Sequence, residues 1–320
     1  MPGGEYAPIA VFAFNRPDHL RQTLQALSQN DLAELSHVTV FCDGPRHEGE
    51  RDATESVRQV ARTARGFASL RVVERKENMG CGPSIIAGLQ EMFVEHESLI
   101  IIEDDIVLAK NGLKWFNVCL EKYKNTPEVL AIAAWSYPER FMSFPTDYAY
   151  DAYFLPRFQC WGWAAWRDRI QGIDWMVSDS DSFFASPEQM ARFAQGGEDL
   201  VPTLKAQVAK QINTWDIQVA YSAFKRGLYT LAPRYPYSTN IGTQGEGTHV
   251  GNSKDRHPSL YIDLSQALDM PHLPDQCIID ERILANFRES LHKYTPRAPL
   301  WQRVRERIKK IGRKYGKKNF

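Results

Sequence analysis

The chain has 320 residues, 43% hydrophobic and 24% charged, enough for a sizeable core and ordinary for a globular protein. Its formal charge is zero, yet residues 297–320 carry ten Lys/Arg against one acid, Glu306, which leaves the remainder with a net −9. No stretch has the eighteen or so apolar residues of a membrane span, and five scattered cysteines without a CxxC pair fit reduced thiols and argue against a disulfide framework or a zinc site.

The first half alternates strand and helix signals. "PIAVFAF" (8–14) predicts a buried strand, and Pro17 opens a helix with Leu20, Leu24 and Leu27 on one face. "HVTVFCD" (37–43) is a second strand, followed by a polar helix from about Glu50 to Arg65. "SLRVVER" (69–75) is a third, then a helix from Pro83 to His96 turns Ile86, Leu89, Met92 and Phe93 inward. "SLIIIED" (98–104) is continuously apolar, as central parallel strands are. A helix at 111–124 and the strand "VLAIAAW" (129–135) complete the series. The fold class is therefore α/β, a mostly parallel sheet flanked by helices.

The second half reads differently. An aromatic cluster, "CWGWAAWRDRIQGIDW" (160–175), leads into an acidic loop, "SDSDS" (178–182). A helix over Thr214–Arg226, the strand "LYTLAP" (228–233) and a glycine-rich flexible loop at 238–255 follow. The segment 275–320 reads as helical. Within it Trp301, Val304, Ile308, Ile311 and Tyr315 recur at three- and four-residue steps among Lys/Arg. That is the pattern of a basic amphipathic helix on an anionic membrane surface, or of a solvated charged helix or frayed end. No nucleic-acid motif accompanies it. The division expected is 1–275 as one domain, with halves 1–135 and 136–275, and 276–320 as a helical extension.

Ligands of open parallel sheets bind beyond the carboxyl ends of the strands. The predicted strands place Arg16, Asp43, Asn78 and the triplet Glu103–Asp104–Asp105 on that rim. A run of three acids arises readily by chance and often lies at a solvated turn. At the end of a buried strand, close to an arginine, it suits a Mn²⁺ or Mg²⁺ ion shared with a diphosphate.

"VFAFNRPDHLRQTLQAL", "FCDGP", "ENMGCGPSIIAGLQEMF" and "LIIIEDDIVLAKNGLKWF", in this order, resemble a GT-A glycosyltransferase. The resemblance is to the branch of N-acetylglucosaminyltransferase I and its bacterial relatives, and it covers about residues 8–255. It extends through "CWGW" (160–163) and "TWDIQVAYSAFKRGLYTLAPRYPYSTNIGTQGEGTH". It implies a Rossmann-like GT-A sheet and a metal-dependent, inverting transfer from a nucleotide-sugar, UDP-linked by preference, to a saccharide or lipid-linked saccharide hydroxyl. In that family the triplet is the DxD-type motif. Asp105 would ligate the metal, Glu103 and Asp104 would contact the ribose or donor sugar, Asp43 the base, and Arg16 the nucleotide or diphosphate. Asn78 joins this donor-binding group, Trp161 and Trp163 are candidates to face the sugar, and Asp216 would be the general base.

The sequence departs from the family where the animal enzymes place a base-contacting His; Ser84 or a neighbour stands there. Other readings stay open. Asp216, two residues after Thr214, also fits a first-turn acid favoured by the helix dipole. The tryptophans also fit plain core. His249 is a solvent-exposed loop residue or one brought to the donor by loop closure. Without a signal peptide and with a basic tail, the expectation is a cytoplasmic enzyme of surface-polysaccharide synthesis at the inner face of the membrane. The competing classes are a sugar-phosphate nucleotidyltransferase, disfavoured because "AFNRPDHL" has no glycine-rich phosphate loop, and a non-catalytic binder of nucleotide-sugars.

Overall fold

A computed structural model describes residues 6–137, 139–244 and 262–294. The basic stretch 297–320, His249 and the loop beyond residue 244 lie outside the described residues.

In the first half, the buried run Ile9–Ala13 forms β1 and Pro17–Ser28 forms α1, with Pro17 in its first turn and Leu20, Thr23, Leu24 and Leu27 buried. β2 (His37–Cys42), α2 (Arg51–Thr63), β3 (Ser69–Glu74), α3 (Cys81–Met92) and β4 (Ser98–Glu103) follow in the predicted alternation. The short β5 (Ile106–Leu108) comes next, then α4 (Gly112–Tyr123) and β6 (Val129–Ala133).

The second half holds β7 (Ala152–Leu155), β8 (Trp163–Trp166) and α5 (Arg167–Gln171). Three helices succeed them, α6 (Ser180–Phe184), α7 (Pro187–Phe193) and α8 (Leu200–Val208). α9 (Asp216–Arg226) ends on Gly227, whose φ of 66° supplies the left-handed cap. β9 (Tyr229–Pro233), β10 (Ser238–Asn240) and α10 (Glu281–Tyr294) complete the described elements.

The main sheet has eight strands in the order β3-β2-β1-β4-β8-β6-β9-β7. β3, β2, β1 and β4 pair in parallel, as do β6 and β9, whereas β8 and β7 run antiparallel to their neighbours. The expected mostly parallel sheet flanked by helices is present. β8 is an addition to it: four residues of the aromatic cluster enter between β4 and β6, pairing Ser98 with Trp166 and Ala133 with Trp163. Acidic "SDSDS" also differs from expectation, because its last three residues begin α6, which buries Phe183.

Alternation along the strands builds the two faces. Ile9, Val11, Ile100 and Ile102 pack with Leu20, Leu24, Val57 and Phe116 under α1, α2 and α4. Ala10, Phe12, Leu99 and Ile101 pack with Ile85, Leu89, Phe183 and Val219 under α3 and the helices of the second half. A third cluster seats Ile283, Leu284 and Phe287 of α10 against Trp135, Tyr137 and Tyr153.

On the second face α3 approaches β1 and β2 at Gly88, over the stacked rings of Phe12 and Phe41, whose centroids are 5.0 Å apart. A methyl group at Gly88 would stand 2.5 Å from Phe12 Cε1 and 3.3 Å from Phe41 Cε2. Gly88→Ala is therefore expected to destabilise the fold by about 1–3 kcal/mol, as overpacked cores do. Denaturant unfolding measures it; a variant as stable as the parent would show that α3 can lift off without cost.

Candidate active site

β1, β2 and β4 all end on one rim of the sheet, and the turns after them carry the candidate residues. β1 passes through Phe14 and Asn15 to Arg16, the residue before α1. β4 ends at Glu103, and Asp104 and Asp105 form the tight turn into β5. Two backbone contacts fix that turn: the Thr23 hydroxyl of α1 donates to the Asp104 carbonyl at 2.8 Å, and Ile241 N–H donates to the Asp105 carbonyl at 2.9 Å. The second follows from β10 pairing antiparallel with β5, Asn240 opposite Ile106.

Arg16, 88 residues before Asp104, answers the acids directly. Its Nη2 pairs with Asp104 Oδ1 and its Nε donates to Asp104 Oδ2 at 3.3 Å. Its Nη1 stands 2.9 Å from Asp105 Oδ2. That third contact is an ion pair rather than an aligned hydrogen bond, and Nη1 is buried with no hydrogen-bond acceptor. Burial opposes the guanidinium charge, but Asp104 and Asp105 outweigh it and raise the Arg16 pKa.

The carboxylates remain in excess. Burial, then Asp105, Asp104 and Asp216, pushes the Glu103 carboxyl well above the usual range. Burial also lifts Asp104, to about 6, against the pull of Arg16. The Cys81 thiol, at the start of α3, donates to Glu103 Oε2 at 3.8 Å.

Asp216 heads α9, and its field reaches Glu103, Cys81 and Cys160. Its Oδ1 accepts the Thr214 hydroxyl. Three segments widely separated in sequence thus converge: the β1–α1 turn, the β4–β5 turn and the head of α9.

The other candidates separate into wall and scaffold. Asp43 is buried, and its two oxygens accept from Gly44, Met79 and Gly80 N–H and from Asn78 Nδ2, at 2.9 to 3.2 Å. In this arrangement Asp43 and Asn78 latch the 78–80 turn to the end of β2, a use of the carboxylate different from the expected contact to a base. Ser84 is buried in the first turn of α3.

Trp163 is fully buried, edge-on to Phe158 at 4.9 Å and stacked on Trp215 at 5.7 Å. It is core. Trp161 keeps part of its surface exposed and meets Trp135 edge-on at 4.8 Å, so of the two it is the one able to wall a pocket.

Sequence reasoning missed two contributors. Gly242 brings its backbone onto the acidic turn; a side chain there would overlap Asp105 Oδ2 and lie 3.1 Å from Arg16 Nη1. Its signal is the "NIGTQG" spacing, which marks a glycine-rich loop without saying which glycine meets the acids. Arg157 forms a bidentate pair with Asp199 at 2.8 Å and feels the charge of Asp216, and nothing in its local sequence marks it.

Among the described residues no group of three His, Cys, Asp or Glu side chains is placed to hold a metal alone. The donor set nevertheless suits a hard divalent ion in a shared site. Glu103, Asp104, Asp105 and Asp216 are hard oxygen ligands, and Arg16 pairs with only two of the four. An ion taking one or two carboxylates, with the remaining oxygens from a diphosphate and water, matches that surplus.

No protein-family model matches the chain, and no curated protein matches it. Solved structures similar to it include S. aureus TarS, with a TM-score of 0.40 and 12% identity over 72% of this chain and 36% of that one. Another is mouse xyloside xylosyltransferase 1 in its apo form, with a TM-score of 0.36 and 11% identity over 69% of this chain and 83% of that one. The chain spans little more than a third of the TarS chain, the 36% just given. Neither likeness carries an argument about activity.

Proposed function

We propose that this chain is a nucleotide-sugar-dependent glycosyltransferase of GT-A type, transferring with inversion to a saccharide hydroxyl. The observation that carries the reading is the pairing of Arg16 with Asp104 and Asp105 at the end of β4 on one rim of a mostly parallel sheet, with Asp216 within electrostatic reach of Glu103. The sequence resemblance to the N-acetylglucosaminyltransferase I branch supports the same roles.

Arg16 binds the donor diphosphate, to which a guanidinium fork is suited. Glu103 and Asp104 face the ribose and donor sugar, the 78–80 turn held by Asp43 shapes the base pocket, and Trp161 walls the sugar. Asp105 would hold a Mn²⁺ or Mg²⁺ ion, which when bound neutralises charge on the departing diphosphate. The acceptor oxygen attacks the anomeric carbon, the bond to the diphosphate breaks with its electron pair leaving on the diphosphate, and the acceptor proton passes to Asp216. One base opposite the leaving group gives inversion. A basic tail with a net charge of +9 fits an acceptor presented at an anionic surface.

The turn after β1 runs Phe14–Asn15–Arg16 into Pro17, with no glycine-rich phosphate loop, which argues against a nucleotidyltransferase. The test is thermal melting with a panel of nucleotide-sugars, each with and without Mn²⁺. At a hundred times its Kd a true donor stabilises by about 2.7 kcal/mol, a rise of several degrees. A panel in which no nucleotide-sugar shifts the melt, with or without Mn²⁺, would overturn the reading.

A further inference from the structure

We infer that Arg16 is an internal counter-ion that competes with the divalent cation for Asp105, so that the cation binds weakly alone and enters together with the donor diphosphate. This rests on the function proposed above. One guanidinium spans both aspartates, through Nε at 3.3 Å and Nη2 on Asp104 and through Nη1 at 2.9 Å on Asp105 Oδ2. Both carboxylates are buried. Gly242 closes the third side, its backbone so near that a methyl group would overlap Asp105 Oδ2. The carboxylate assigned to the cation under the proposed function is therefore already paired with a guanidinium.

A divalent ion arriving alone must share Asp105 Oδ2 with Arg16, and like charges that close repel strongly in a poorly solvated site. A diphosphate changes the balance. Arg16 Nη1 is buried without an aligned acceptor, so its N–H groups have capacity for an anionic oxygen. Moving that nitrogen from carboxylate to phosphate frees Asp105 Oδ2 for the ion. Asp105 then exchanges a guanidinium for a metal as Arg16 exchanges a carboxylate for a phosphate. Asp104 holds the rest of the guanidinium throughout and acts as the pivot. Before an ion binds, the same pairing lowers the repulsion between neighbouring acids.

The test uses Mn²⁺ as the only ligand, followed by calorimetry and thermal melting on the full chain and on Arg16→Met. Mn²⁺ alone is expected to bind Arg16→Met at least tenfold more tightly than the parent. The variant should melt lower without Mn²⁺ and recover with it, while its affinity for UDP with Mn²⁺ falls tenfold or more. Arg16→Lys keeps the charge without the fork and should bind Mn²⁺ with intermediate affinity. A folded Arg16→Met that binds Mn²⁺ no more tightly than the parent overturns the inference. If Arg16→Met does not fold even with Mn²⁺, the same criterion passes to Arg16→Lys. A parent chain that binds UDP with Mn²⁺, with no gain in the variants, removes the counter-ion role alone. A parent chain that binds neither UDP nor any nucleotide-sugar of the panel, with or without Mn²⁺, removes the proposed function with it.

Discussion

Asp216→Asn is expected to lower turnover by roughly 10²- to 10⁴-fold, the usual worth of a positioned general base, with donor and Mn²⁺ affinity unchanged within a few-fold. The substitution keeps the size and shape of the side chain and leaves an oxygen for the Thr214 hydroxyl that Asp216 Oδ1 now accepts. What it removes is the ability to take a proton and one negative charge. That charge is among those raising the Glu103 carboxyl, so its loss relieves repulsion, and the ligand-free protein should melt at the same temperature or higher. The alternative role predicts the opposite pattern. An acid serving only the α9 dipole contributes about 0.3–1 kcal/mol, so its loss would lower the melt and leave kcat alone. Steady-state kinetics and a melting curve on one variant thus separate the two roles. An unchanged kcat with a lower melt would end the assignment of Asp216 as the base.

β1, β2 and β4 were legible because each is an apolar run bounded by turn residues and buried almost throughout in the finished sheet, whereas β3 sits at the sheet edge with no buried residue. β4 shows this most plainly, since Leu99–Ile102 are buried and the run stops where the acids begin. β8 was not legible. Its four residues, Trp163–Trp166, are all buried, so they lack the alternation that marks a half-exposed strand, and their direction is set by partners at 98–101 and 131–133. β5 and β10, three residues each, exist only as each other's partner.

The site divides in the same way. The rim position of Arg16, Asp43 and the triplet follows from the parallel run of the strands that precede them, which the alternation of strand and helix signals reveals. How they are used depends on neighbours far along the chain. Asp43, expected to contact a base, accepts from Gly44 N–H and from the 78–80 turn, because a carboxylate at a strand end is equally suited to collecting backbone N–H groups. Arg16, expected beside the nucleotide or diphosphate, is paired with Asp104 and Asp105, a use that strand positions alone do not show.

Asp105→Ala is expected to abolish cation-dependent donor binding, a loss of 100-fold or more, while the fold survives. Asp104→Ala, one residue earlier, should damage the fold as well as donor binding. Asp104 carries the aligned part of the Arg16 interaction, and deleting it strands a mostly buried guanidinium on a single unaligned contact. Breaking such a pair commonly costs about 3–5 kcal/mol, because the remaining charge is left uncompensated. Deleting Asp105 leaves Arg16 on Asp104 and lowers the local excess of negative charge, so its effect on stability is small. The two neighbours are thus separable: Asp104 as the anchor of the arginine, Asp105 as the group offered to the ion. Calorimetry of nucleotide-sugar binding with and without Mn²⁺, alongside denaturant unfolding, reads both properties on both variants. Cation-dependent binding that persists in a folded Asp105→Ala would sink Asp105 as the metal ligand and move the search to Glu103, whose carboxyl Asp216 and Asp105 already strain against.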